Sequence, residues 1–432
     1  MVSDNDLSGG DQPATYYHAT RSAFPPLPSL VGEHVADVCV VGGGLTGVST
    51  ALNLSERGYA VILLEARRIG HGASGRNGGQ LVNGYSCDMQ RIRAQVGLEA
   101  SKIFWNMGLE ALADVDARIT RHAIECDRRS GYFFAALNPR QMRGLEEMNE
   151  EWSRLYGYDR MTLVPLDGVG DWVGTDLYHG GLADPGGGQI HPLNYLQGLA
   201  RAALGNGVQI MENSPVSSLE RVAPTIVRTG NGSVRARFVV LAGNAYLGGL
   251  APEMQPRLAR VSSFVGTTAP LSQDLSRRLI PANVAVADCN AALDYYRLTE
   301  DNRLIFGAGA GYAGREPLTL KRYLKARIRR VFPSLADAPL EHAWSGHIGI
   351  TVNRIPDFGR IDPSIYYAQG FSGHGVALTG LAGKLLAEAI DGDAGRFDMF
   401  ADIRHRNFPG GPLRTPALVL AMAYYKLRDR LG

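Results

Sequence analysis

Gly42, Gly44 and Gly47 stand at the spacing GxGxxG directly after the apolar, β-branched run from Asp37 to Val41, and Glu65 follows Gly47 by eighteen positions. Each of these residues has a physical task if a dinucleotide binds. Gly42 permits a sharp turn, Gly44 lets the backbone approach a pyrophosphate, and Gly47 allows a helix to pack closely. The helix N-terminus that follows offers free N–H groups and a positive dipole end, and Glu65 can accept hydrogen bonds from ribose hydroxyls.

A second stretch, GHGASGRNGGQ, follows that acid at once. Its glycines give a loop whose amides can wrap the same pyrophosphate and reach the flavin end. Gly72, Ala73, Ser74, Arg76, Asn77, Gly78, Gly79 and Gln80 are therefore candidate cofactor contacts. A third stretch, FSGHG, opens the segment VALTGLAGKLLAEAI more than 300 residues after Gly42. Gly373, His374, Gly375 and Val376 lie where a second helix N-terminus would meet the pyrimidine edge of an isoalloxazine and stabilise its reduced, anionic form. An NAD dehydrogenase would continue to alternate strands and helices here. A long helical stretch intervenes instead, so the cofactor expected is FAD.

The elements that must position these groups can be read from hydrophobic period. A strand, a helix to Arg57 and a strand from Ala60 to Glu65 form a first βαβ unit. Helical spacing covers 88–122 and 140–156, with a strand between them from Gly131 to Leu137. A helix from Pro192 to Leu204 precedes short strands near Val208 to Met211, Val216 to Leu219, Thr225 to Arg228 and Phe238 to Ala242. Arg260 to Thr268, Leu293 to Leu298 and Arg303 to Gly307 read as strands of a second sheet. A helix over 318–331 and a strand from Ile365 to Gln369 complete the pattern.

Composition narrows the function classes. The 432 residues carry a formal net charge of +2 and 20% charged residues, which gives no field suited to nucleic acid. Cys39, Cys87, Cys126 and Cys289 are widely separated, so neither a metal site nor a disulfide framework is expected, and a reducing, cytoplasmic setting fits. The first 30 residues lack a signal-peptide pattern, and no apolar run is long enough for a membrane span.

These motifs resemble the D-amino-acid-oxidase-like FAD oxidoreductases, a family that includes sarcosine and glycine oxidases. The resemblance covers residues 37–391. Longer matches, among them GASGRNGGQLVNGYS, GGGQIHPLN, VVLAGNAYLG, DCNAALDYYRLTEDNRL and YYAQGFSGHGV, are similar to the subgroup that oxidises γ-glutamylated putrescine. The resemblance implies an α/β fold with a Rossmann-like FAD domain (30–90, 190–250 and 340–395) interleaved with a mixed-sheet substrate domain (91–189 and 251–339). Residues 396–432 would form a carboxyl-terminal segment whose helix, over Ala417 to Leu431, docks on the FAD domain. Gly243 joins the cofactor contacts by the same resemblance.

It also implies oxidation of the terminal amine of γ-glutamylputrescine to the aldehyde, with ammonia released and molecular oxygen reduced to peroxide. Sarcosine oxidases tether flavin to a cysteine that Trp344 to Pro356 does not contain, so noncovalent FAD is expected. Ala377 replaces a lysine that holds a substrate carboxylate in those enzymes, and Ile305 stands where a lysine promotes oxygen reduction. An oxidase or dehydrogenase of a cyclic secondary amino acid such as L-pipecolate is a rival reading, and a flavin-carrying binding protein without turnover is another. No oligomeric state is implied.

Oxidation of an amine next to a flavin requires the neutral amine, and an aromatic, dry pocket disfavours the ammonium. Strand alternation sends Tyr296 to one face of its strand and Tyr295 and Arg297 to the other. Tyr296 is read as a pocket wall, and Arg297 as a bidentate partner for the glutamyl carboxylate. Arg76 is a contact to FAD or substrate, and His374 acts at the flavin edge. His191 is read as a cap for the helix after it, while Trp344 and His347 are left unplaced.

Overall fold

The computed structural model describes residues 15–311, 319–409, 416 and 418–420. Two large sheets organise them. The first runs in the order Asp357–Asp362, Ile365–Gln369, Gly232–Leu241, Gly32–Val41, Val61–Leu64 and Gln209–Met211. Thr225–Thr229 adds to Gly232–Leu241, and Val216–Glu220 to Thr225–Thr229. Its four central pairings are parallel. Because Val41 pairs with both Leu64 and Leu241, and Leu241 with Tyr367, these strands end nearly level. In an open parallel sheet that carboxyl edge is where ligands bind.

Helices Leu45–Ser55 and Gly375–Ile390 lie against each other on one face of this sheet. Small residues let them approach. A Cβ on Gly383 would stand 2.6 Å from Ser49 Oγ, and Ser49 Oγ donates to the Gly380 carbonyl at 3.0 Å. The core between them is almost wholly apolar, with Val48, Ala51, Leu52, Leu381, Ala382 and Leu385 all at most 1% exposed.

The second sheet is mixed, in the order Leu340–Ile350, Ala259–Thr268, Leu304–Gly311, Asp294–Leu298, Ala285–Asp288, Arg129–Ala136, Gly180–Gln189 and Gln80–Leu81, with Thr162–Val164 beside Gly180–Gln189. Gln80–Leu81 and Leu340–Ile350 lie within spans expected to be FAD domain, but their backbone pairing places them in this sheet. The helical stretch 88–122 is two helices, Met89–Val96 and Leu98–Arg121, because Gly97 takes φ +81 between them. Helix Tyr16–Thr20, a segment without a periodic signal, buries Tyr17 completely against Leu193 and Trp344. The expected carboxyl-terminal helix falls outside the described residues, 418–420 apart.

Candidate active site

Gly42 follows the end of Gly32–Val41 with φ +114, which a side chain rarely adopts, and a Cβ there would meet the Ala242 carbonyl at 2.9 Å and the Gly243 amide at 3.2 Å. Gly47 has no room for any side chain, since its Cβ would lie 1.9 Å from the Gly42 carbonyl. Glycine therefore lets three chain segments crowd one sheet edge. Gly44 caps helix Leu45–Ser55 without a side-chain bond, although Leu45, Thr46 and Gly47 are buried.

Buried first-turn amides need acceptors. Only the Leu45 amide has one from the neighbouring loop, Ser74 Oγ at 2.9 Å. Helix Gly375–Ile390 likewise begins at His374 without a side-chain cap. Elsewhere among the described residues Thr15, Asp88, Asn138, His191 and Ser272 cap their helices with side chains, and the uncapped starts at Gly97, Thr319 and Ala394 are exposed or half-exposed to water. Two uncapped helix starts at one sheet edge suit a ligand with a pyrophosphate at one end and an electron-accepting ring at the other. The residues present thus fit FAD.

Glu65 follows Val61–Leu64, and its carboxylate accepts the Gly43 amide at 2.6 Å and the Arg67 amide at 2.8 Å. Burial pushes its carboxyl above the ordinary range while those two amides and the Arg67 charge pull it down. Two of roughly four acceptor positions are used, leaving capacity for ribose hydroxyls.

The 70–80 loop is tied to the first turn by Gly70 N–H donating to Gly43 O at 3.1 Å, as well as by Ser74. Asn77 folds this loop on itself, donating to Ala73 and Ser74 carbonyls and accepting the Gly79 amide. Gln80 turns away to the second sheet, donating to the Val286 and Tyr296 carbonyls and accepting the Tyr132 hydroxyl. Gly72 packs under Tyr246, whose ring would lie 3.3 Å from a Cβ.

Strand Leu340–Ile350 spans the remaining gap. At one end the Trp344 indole donates to the Arg76 carbonyl at 2.9 Å and the Arg76 guanidinium to Ser345 O at 3.3 Å. At the other, the Ser372 amide donates to Gly349 O at 3.0 Å. Gly346 to Gly349 is three residues, roughly 10 Å of strand, close to the breadth of a tricyclic ring. Ser345, Gly346, His347 and Ile348 are all half-buried, so this stretch of the strand is not closed over by the core. Ser372, Gly373 and His374 lie at the far end of the stretch. Gly373 has φ +99 with open space beyond it, and Val376 is buried in the helix behind. Burial and the Arg354 charge push the His374 imidazole down to about 4.

Two expectations are corrected by this geometry. Tyr296 lines no cleft. It is fully buried in the core behind the sheet, stacked on Phe306, with its hydroxyl on Tyr178. The opposite face of the strand meets the glycine loop, and there the Tyr295 ring occupies space that a Cβ on Gly78 or on Gly307 would enter, at 2.5 and 1.9 Å. Arg297 holds no substrate carboxylate either. It is 2% exposed, and its guanidinium donates to the carbonyls of Gly78, Ile190 and Leu298 and to the Tyr17 hydroxyl. It clamps the loop to the sheet. With Tyr295, the residues Tyr132, Phe134 and Val82 make an aromatic and apolar surface beside the loop.

His191 does cap its helix, accepting the Asn194 amide at Nδ1. His347 donates its amide to the Tyr246 hydroxyl, and its ring pairs with Ser262 Oγ at 3.1 Å.

A family model described as FAD dependent oxidoreductase matches residues 37–389. The chain belongs to that family. As an FAD dependent oxidoreductase it is 46% identical over 421 residues to the γ-glutamylputrescine oxidoreductase of Escherichia coli (strain K12), covering 97% of this chain and 99% of that protein. A probable oxidoreductase of Haemophilus influenzae is 41% identical, over 96% of this chain and 97% of its own length. Among solved structures, glycine oxidase from Geobacillus kaustophilus superposes with a TM-score of 0.68 at 21% identity, covering 83% of this chain and 95% of that one. That likeness establishes the shared fold. The chain is an FAD-dependent oxidoreductase, and no helix among the described residues is long and apolar enough to cross a membrane.

Proposed function

We propose that this enzyme oxidises the primary amine of γ-glutamylputrescine, or of a closely related polyamine conjugate, to the aldehyde, releasing ammonia and passing the electrons to oxygen as peroxide. The observation that carries the reading is end-to-end similarity to the Escherichia coli enzyme of that name, at 46% identity over 97% of the chain. FAD, when bound, supplies the two-electron acceptor.

The chain's own residues would do the rest. The uncapped start of Leu45–Ser55 and the amides of the 70–79 loop hold the pyrophosphate, with Glu65 on the ribose. The uncapped start of Gly375–Ile390 stabilises negative charge at the far end of the ring. The face carrying Tyr295, Tyr132 and Phe134 keeps water from the reacting amine, and low polarity there favours the amine's neutral form.

FAD would be held without a covalent link. Burial pushes the Cys87, Cys126 and Cys289 thiols up to about 12, so they remain protonated and poor nucleophiles, and Cys39 is wholly buried in its strand. Ala377 lies buried in the helix and presents no cation for a carboxylate beside the reacting carbon, which favours a substrate whose carboxylate is distant.

Peroxide release, assayed side by side on γ-glutamylputrescine and L-pipecolate in air, with ammonia followed for the first, tests the reading. Turnover of the first with little of the second is expected. Preference for pipecolate would overturn it.

A further inference from the structure

Asn83 is 3% exposed, and neither its side-chain carbonyl nor its side-chain amino group has a hydrogen-bond partner. Of the other side-chain amides with a shielded, unpaired atom, the buried Gln189 and Gln197 and the half-buried Asn283 and Asn353 each leave only one. Burying a whole primary amide unpaired costs several times what a single missed bond does, so such groups persist where a ligand completes them.

Its place in the fold says where that ligand lies. Strand Gln80–Leu81 packs on helix Gly375–Ile390. Three residues past Asn83, Ser86 Oγ donates to the Ser372 carbonyl at 2.6 Å. Asn83 therefore sits on a short span anchored at both ends to the third turn and its helix, whose first-turn amides also lack a side-chain cap. Val82, beside it, packs with Tyr132 and Tyr295 on the aromatic face.

A primary amide offers a donor and an acceptor side by side. An open-chain secondary amide, such as the one inside γ-glutamylputrescine, is trans, with N–H and C=O on opposite sides, so a single asparagine cannot pair with both. A ring lactam is held cis, with both groups on one edge. The pyrimidine ring of a flavin has such edges, with N3–H between the C2 and C4 carbonyls.

We propose that Asn83 forms a two-point hydrogen-bonded pair with the lactam edge of the flavin, its carbonyl accepting N3–H and its amino group donating to the adjacent ring carbonyl. The proposal rests on the FAD cradle described above and adds a cofactor-orienting residue outside the three glycine turns. A donor on the ring carbonyl also favours the reduced ring, on which negative charge gathers.

The test strips the full chain of FAD and reloads it with FAD or with N3-methyl-FAD, reading affinity by quenching of flavin fluorescence. Wild type should bind the N3-methyl cofactor about tenfold more weakly, the loss of one net hydrogen bond. Asn83→Ala should bind FAD about tenfold more weakly and show no further penalty for the methyl group. Asn83→Asp, which has the same shape and lacks the donor, should lower the flavin reduction potential.

An equal methyl penalty in wild type and Asn83→Ala would overturn the pairing. So would FAD affinity and potential that stay at wild-type values while KM for γ-glutamylputrescine rises, since that result assigns Asn83 to the substrate. Should Asn83→Ala not fold, judged by the melt of the stripped protein, Asn83→Asp decides by the potential, since its carboxylate keeps an acceptor for N3–H and lacks only the donor; an unshifted potential would then overturn the pairing. The affinity, methyl-penalty and potential readouts need no turnover, so they remain decisive if the proposed substrate fails.

Discussion

Arg297 Nε donates to the Gly78 carbonyl at 2.7 Å, joining the second sheet to the glycine-rich loop at 70–80. The same guanidinium reaches Ile190 O and the Tyr17 hydroxyl, so one cation binds four segments of chain. Arg297→Ala would leave buried carbonyls unpaired. It is expected to lower unfolding free energy by about 3 kcal/mol, read by urea denaturation. A rise in KM with unchanged stability would instead restore the carboxylate-binding role.

Tyr295 fills a slot made by two absent side chains. Gly307→Ala sets a methyl group 1.9 Å from the ring and should destabilise by about 2 kcal/mol. Combining it with Tyr295→Ala should recover much of that loss, a coupling of about 1 kcal/mol or more in a double-mutant cycle. Strict additivity would show that the ring is free to move aside.

Ser74 joins the second turn to the first by accepting the Leu45 amide. Ser74→Ala should cost about 1 kcal/mol and weaken FAD retention in parallel. The checks are thermal melts with and without added FAD.

His191 gives a pH dependence with a definite sign. Burial and the Arg297 charge push its imidazole down to about 3, against an ordinary value of 6.5. Between those values the unfolded chain binds a proton that the folded chain excludes, so stability rises with pH through this window. The contribution is complete above pH 6.5 and is lost progressively as pH falls toward 3. Protonation would also remove the Nδ1 acceptor that takes the Asn194 amide. His191→Asn keeps a cap acceptor and should flatten the melting temperature between pH 5 and 6.5; an unchanged slope would place the acid sensitivity elsewhere.

Much of this architecture is legible in the residues because glycine spacing reports backbone crowding directly. GxGxxG and FSGHG mark two buried helix starts that lack side-chain caps, and apolar period marks the helices behind them. Side-chain facing is harder to read. Alternation separates Tyr296 from Tyr295 and Arg297, but nothing local says which face of a strand meets the cofactor. That is decided by pairing with strands distant in sequence. Gly78 and Gly307 held the missing signal, since a glycine on each side leaves space for a large ring. Helix Tyr16–Thr20 escapes sequence reading because its aromatic residues pack against Trp344 and Leu193, more than 170 positions away. Asn83 is silent for the same reason, as an unpaired buried amide is visible only once its surroundings are known.

In the function proposed above, this cradle delivers a conjugated primary amine to a bound, noncovalent FAD. Anaerobic mixing of the purified yellow enzyme with γ-glutamylputrescine measures it most directly, followed by acid precipitation to see where the flavin goes. The flavin absorbance should bleach with this substrate far faster than with L-pipecolate, and the precipitate should leave FAD in solution. A flavin that stays oxidised with γ-glutamylputrescine, or one that remains fixed to the precipitated chain, would contradict it.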